Sequence, residues 1–156
     1  MSAAGSTILY QYGALPFSLG EDGGIRVLLV TTRGRRAWII PKGWPIRDLT
    51  AAATAAREAY EEAGLIGTVV GDEPFGFYRY EKLRNSRKAT IYEVSVFLFA
   101  VERQLRKWPE RSQRETRWFT LAEASMLVAP AGLGDILRAA PSQILGEHEF
   151  VTTQKA

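Results

Sequence analysis

The order of apolar and polar positions along the chain predicts short β-type runs interleaved with a few helices. Ser6 to Leu19 reads as a strand with turn-forming ends, and Ile25 to Thr32 (IRVLLVTT) as a buried-type strand entered through the Glu21-Asp22-Gly23-Gly24 turn. A basic turn, Arg33 to Arg36, leads to a short strand at Trp38-Ile39-Ile40 and then to a loop, Pro41 to Pro45, whose two prolines suit neither strand nor helix. A helix is predicted over about 49–63, capped by Asp48 or Thr50 and closed by Gly64. Thr68 to Tyr80 and Lys88 to Arg103 read as a long hairpin with a basic tip, its second strand becoming almost wholly apolar (TIYEVSVFLFAV) as it enters the core. Glu115 to Phe119 is a further strand, and Thr120 with Glu123 forms a capping box for a helix over Leu121 to Leu127. Ala131 to Ala140 makes the last helix, with a tail frayed from about Glu147. With no repeat or linker visible, one mixed α/β (α+β) domain over residues 1–156 is expected.

The 49–63 helix is the unusual element. At about 100° per residue, Glu58, Glu61 and Glu62 fall on one side, and Leu49, Ala52, Ala56, Tyr60 and Ala63 cluster on the other. Glu58 repels both other acids at helical spacing, at roughly 0.2–0.5 kcal/mol a pair. All three also lie in the C-terminal half, where the helix dipole disfavours negative charge. A bound divalent cation is the natural compensation. Seven alanines between Ala51 and Ala63 favour the helix and let it lie close to a sheet.

Composition narrows the chemistry. The chain has no cysteine and one histidine, His148, so a metal would be held mainly by oxygen, which favours Mg²⁺, Mn²⁺ or Ca²⁺ over zinc. The start of the chain shows no signal-peptide pattern, and the apolar run Val94 to Val101 is far too short to span a bilayer, so a cytoplasmic protein is expected. A net charge of +3, despite three acids gathered at one place, mildly favours a polyanionic ligand. No aromatic-basic motif of a nucleic-acid module is present, so nucleic acid is not expected as a partner.

Gly43-x5-Leu49-x7-Arg57-Glu58-Ala59-x-Glu61-Glu62-x-Gly64-Leu65 resembles the Nudix box, G-x5-E-x7-R-E-U-x-E-E-x-G-U, where U is aliphatic. Two positions depart: Leu49 stands where the family has a glutamate, and Ala59 is small for the aliphatic position. The resemblance implies a Nudix-type α/β/α sandwich with a mixed sheet and a metal-dependent hydrolase that cleaves a diphosphate linkage, using Mg²⁺ or Mn²⁺. It implies Glu58 and Glu62 as principal metal ligands, Glu61 as ligand or general base, the Gly43 carbonyl as a further ligand, and Arg57 holding a glutamate in place. The family's glutamate at the Leu49 position is usually an auxiliary group, so an active enzyme with weaker or altered metal binding is expected. A downstream acid often joins such sites, and Glu93, Glu110 and Glu115 are all candidates.

Outside the box, Trp38-Ile39-Ile40-Pro41-Lys42-Gly43, Lys107 to Glu110 and Arg114 to Phe119 are similar to the diphosphoinositol polyphosphate and diadenosine polyphosphate hydrolases. Trp44 departs from that subgroup, which commonly has a second glycine there. The similarity implies a polyphosphorylated small molecule as substrate, with Lys42, Arg84 and Lys88 as phosphate-binding candidates beside Arg79, Lys82, Arg87 and the Arg33–Arg36 turn. Trp44, Tyr78 and Tyr80 are read first as packing residues, with base stacking as the second role. The alternatives are hydrolysis of nucleoside triphosphates, nucleotide sugars or RNA 5′ ends, or a non-catalytic ligand-binding domain. Monomer and homodimer are both open.

Overall fold

The computed structural model describes residues 7–85 and 88–155, with side chains for 7–83 and 89–146. Its strands are β1 (Thr7–Leu19), β2 (Ile25–Thr31), β3 (Trp38–Ile39), β4 (Lys42–Gly43), β5 (Leu65–Val70), β6 (Gly76–Asn85), β7 (Lys88–Gln104) and β8 (Thr116–Thr120). Helix α1 (Ala51–Ala63) falls between β4 and β5, and α2 (Leu121–Leu127) and α3 (Ala131–Lys155) follow β8. All eight strands join one sheet with a central order β3-β2-β1-β7-β5, to which β4, β6 and β8 add by pairing with β1, β7 and β2. The β1–β7 ladder is parallel, from Thr7 opposite Thr90 to Phe17 opposite Ala100, and the other ladders are antiparallel. The sheet is therefore mixed.

Period-two alternation sends neighbouring residues to opposite faces, and each face has its own core. Ala14, Leu28, Val30, Phe97 and Phe99 meet Ala55, Ala59 and Ala63 of α1. Leu15, Val27, Leu29, Val94, Val96 and Leu98 meet Ala124 of α2 and Leu133, Ile136, Leu137 and Ala140 of α3. Each large side chain sealed in this way contributes roughly 1.5–3 kcal/mol. Because β7 feeds both cores, its central run is apolar on both faces.

Four sequence-based expectations change. The long strand Thr68 to Tyr80 is two strands, β5 and β6, which lie in succession along β7. The break is local chemistry: Gly71 turns with a φ of +81°, and Pro74 lacks a donor. Lys42-Gly43, expected in a loop, pairs with Tyr12 and Gly13 of β1. Helix α3 passes through Pro141, because its apolar stripe from Leu133 continues to Ile144, which is 2% exposed. Finally, the buried face of α1 is Thr54, Ala55, Ala59, Glu62 and Ala63, whereas Ala52, Ala56 and Tyr60 are half-buried and Leu49 is 42% exposed. Leu49 precedes the N-cap Thr50, so helical phase does not reach it. Thr50 caps by accepting the Ala53 N–H at 3.1 Å.

Candidate active site

Helix α1 owes its place to small residues and to its two ends. Ala55 and Ala59 have no exposed surface, so the small Ala59 lets the helix approach the sheet. At the C-terminal end Gly64 takes a φ of +69°, and a Cβ there would stand 2.3 Å from Cε3 of Trp108. The Trp108 indole N–H donates to the Glu62 carbonyl at 3.1 Å, the Glu110 N–H to that of Glu61 at 3.0 Å, the Gln104 amide to that of Ala63 at 3.0 Å and the Leu105 N–H to that of Gly64 at 2.8 Å. Carbonyls that a helix end leaves without partners are thus satisfied by the 104–110 segment. The same segment delivers Glu110 beside the acids of α1.

These acids open into a pocket of about 530 Å³. Glu58, Glu61, Glu62 and Glu110 line it together with Lys42, Lys82, Arg33 and Arg114, and Gln11, Trp44, Pro45 and Ile46 are also in its walls. Gly43 brings β4 against α1, since a Cβ there would stand 2.2 Å from a carboxylate oxygen of Glu58. Glu62 is 4% exposed and doubly held: Oε2 accepts the Lys42 backbone N–H at 3.1 Å, and Oε1 meets Nη2 of Arg114 at 3.1 Å. Arg114 also reaches Glu110 Oε1 at 2.9 Å and donates to the Thr31 carbonyl at 3.0 Å. Arg57 pairs with Glu61 across one helical turn at 3.0 Å.

The electrostatics follow from this crowding. Burial pushes the Glu62 carboxyl up to about 8, with Glu58 adding to the shift and Arg114 opposing it. Burial, then the charges of Glu61 and Glu110, push Glu58 up to about 7. Lys42 is drawn down to about 8 by its own burial, against the pull of Glu62. Four acids share the pocket with Arg33, Lys42, Lys82 and Arg114, and burial is the main cause of the raised values.

The oxygen donors suit a hard divalent cation, and the glycine cradle that admits Glu58 fits such a role. Among the described residues no three acids already stand as a cation-holding group. Glu61 and Glu62 are turned to Arg57 and Arg114.

The structure brings Lys42, Gly43, Glu58, Glu61 and Glu62 together at this pocket and places Arg57 at its edge through Glu61. Of the three downstream acids Glu110 is at the site, while Glu93 pairs with Arg79 and Glu115 with Arg117. The side chains of Arg84 and Lys88 lie outside the described residues. Arg114 and Gln11 carry no role in the sequence reading. The one sequence signal for Arg114 is its spacing of four from Glu110, while Gln11 gives none. Tyr78 is buried at 3% exposure and packs in the α3-side core, whereas Trp44 is 49% exposed.

A mixed sheet between helical layers, with a glutamate-bearing helix at a pocket that basic side chains also line, defines the class of fold and site. Known proteins share the fold. The NUDIX domain model matches residues 10–139. Nudix hydrolase 12, mitochondrial, of Arabidopsis thaliana is 33% identical, with 72% of this chain and 62% of the relative covered. Nudix hydrolase 4 of the same plant is 32% identical, with 74% and 53% covered, so the chain spans between half and two thirds of the length of these relatives. In fold, the chain is similar to the crystal structure of a C. elegans Ap4A hydrolase binary complex, with a TM-score of 0.65, 19% identity, and 88% of this chain and 98% of that one covered. The chain belongs to the Nudix hydrolase family, whose members generally use divalent metals. No described helix is long and apolar enough to cross a membrane.

Proposed function

We propose that this chain is a metal-dependent diphosphohydrolase acting on a polyphosphorylated small molecule, of the diphosphoinositol polyphosphate or dinucleoside polyphosphate kind. The observation that carries the reading is one pocket lined by four carboxylates together with Lys42 and Lys82. A diphosphate bridge is heavily anionic, and cations that neutralise it lower the barrier to attack by water.

Glu58 and Glu62, with Glu61 and the Gly43 carbonyl as further donors, would hold Mg²⁺ or Mn²⁺. The ion supplies charge neutralisation at the phosphate oxygens and a more acidic water. Lys42 and Lys82, which line the same pocket, bind and orient the phosphate chain. Glu61, kept in place by Arg57, accepts the proton as the water oxygen attacks phosphorus and the bridging P–O bond breaks. The products are two phosphate-bearing fragments. Arg84 and Lys88 are proposed as outer phosphate contacts.

The test is phosphate or pyrophosphate release from a panel of diphosphoinositol polyphosphates, dinucleoside polyphosphates, nucleoside triphosphates, nucleotide sugars and capped RNA, with Mg²⁺ and with Mn²⁺. Metal-dependent turnover of the first two groups is expected. Tight binding without turnover of any diphosphate would make this a ligand-binding domain instead.

A further inference from the structure

The pocket contains a feature that diphosphate hydrolysis does not use. Trp44 is 49% exposed and is the one exposed large apolar side chain of the described residues that lines the pocket. It is braced by aromatic neighbours. The indole lies 5.7 Å from the Tyr92 ring, tilted by 50°; Tyr92 stacks on Tyr80 at 4.9 Å and 9°, and the Tyr80 hydroxyl donates to Gln11 at 2.8 Å. A half-exposed tryptophan braced at its edge by stacked tyrosines can serve as a platform.

Its neighbours define what would lie on it. Lys42 Nζ sits 5.0 Å above the Tyr80 ring and Lys82 Nζ 5.6 Å above the Tyr92 ring, so two cations share the shelf with the indole. Beside Trp44, Pro45 and Ile46 give the pocket an apolar stretch in a lining that carries eight charged side chains. A flat, uncharged group joined to a phosphate chain matches both halves. An inositol polyphosphate presents charged oxygens around its ring, which the electron-rich face of an indole repels.

We propose that Trp44 is a specificity-determining residue that stacks the base of a nucleoside carried on the diphosphate substrate. The proposal rests on the reading of this pocket as a diphosphate site and selects the nucleotide-bearing class within it. It falls at a position where the chain departs from the subgroup it resembles.

Titration calorimetry with Mg²⁺ tests this on wild type, Trp44→Phe and Trp44→Ala, using two probes that differ only in the nucleoside: adenosine diphosphate and inorganic pyrophosphate. Base stacking on an aromatic predicts that Trp44→Ala raises the ratio of the two dissociation constants about tenfold or more, with Trp44→Phe in between. Adenosine diphosphate binding should also quench tryptophan fluorescence in wild type and lose that component in Trp44→Phe. If pyrophosphate binds and the ratio stays constant across the three proteins, the stacking role is overturned and the diphosphate site stands. A 5-diphosphoinositol pentakisphosphate that binds wild type tighter than adenosine diphosphate overturns it too. If neither diphosphate binds, the site reading and the platform fall together.

Discussion

Glu62 sits where two demands meet. Its carboxylate is nearly sealed from water, yet Arg114 and the Lys42 N–H hold it in a defined orientation. Removing one partner of a buried ion pair leaves an uncompensated charge, so the pair matters more as a positioning device than as net stability. Glu62→Gln keeps size and polarity while losing the charge. Its rate should drop roughly a hundredfold or more, as when a preorganised charge-stabilising group is lost. Far-UV circular dichroism should be unchanged, and Mn²⁺ affinity, read by calorimetry, should fall. Full activity in this variant would put the metal site elsewhere. Arg114 was hard to foresee for a physical reason: its partners Thr31, Glu62 and Glu110 come from three separate segments, and only Glu110 lies within helical reach in sequence. Glu58, Glu61 and Glu62 were legible because one helix carries all three.

At the scale of elements, α1 works through its C-terminal clamp. Four carbonyls at that end accept from the 104–110 segment, and the Trp108 ring covers Gly64. Trp108→Ala removes both the ring and a donor, and should cost roughly 1–3 kcal/mol in chemical denaturation. Trp108→Phe keeps a ring and loses the N–H bond, costing about 1 kcal/mol. Because the clamp also delivers Glu110, Mn²⁺ binding to Trp108→Ala should weaken even at temperatures where the variant is fully folded. Unchanged Mn²⁺ affinity would reduce the clamp to a purely structural feature. The capping residues of α1 and α2 were readable from sequence, since Thr50, Gly64 and the Thr120–Glu123 box act within a few residues. The face that α1 buries was not. Its orientation follows from where Trp108 and the sheet meet it, and extending helical phase back to Leu49 crosses the cap.

For the whole molecule, the crowded acids make stability depend on pH in a direction opposite to that of ordinary ion-paired carboxylates. Glu58 and Glu62 have folded values of about 7 and about 8, above the ordinary 4.5, so the folded protein holds their protons more tightly than the unfolded chain. The stability this provides is fully present below about 4.5 and is lost as pH rises through 7 to 8. Lys42, drawn down to about 8 from 10.5, has its effect only above that window and with the opposite sign. The Tm of the metal-free protein should therefore fall between pH 5 and pH 8. Added Mg²⁺ should raise Tm more at pH 8 than at pH 5.5, because it binds the deprotonated acids. Differential scanning fluorimetry at constant ionic strength checks both, and a metal-free Tm that rises over this range would contradict the burial of these groups.

The parallel ladder that joins β1 to β7 also has a consequence for the order in which the protein can be made. It ties Thr7 to Thr90, and the site draws on Gln11, Lys42, Glu62 and Arg114, positions scattered over most of the chain. Contacts so distant in sequence close late, since long loops must be ordered before they are rewarded. On a growing chain β1 can pair with β2 and β4, but its other edge waits until β7 emerges, and Glu62 waits for its guanidinium until residue 114 has been added. Until then β1 has an unpaired edge and Glu62 lacks the guanidinium of Arg114, so the nascent chain is most exposed to aggregation in the interval before β8.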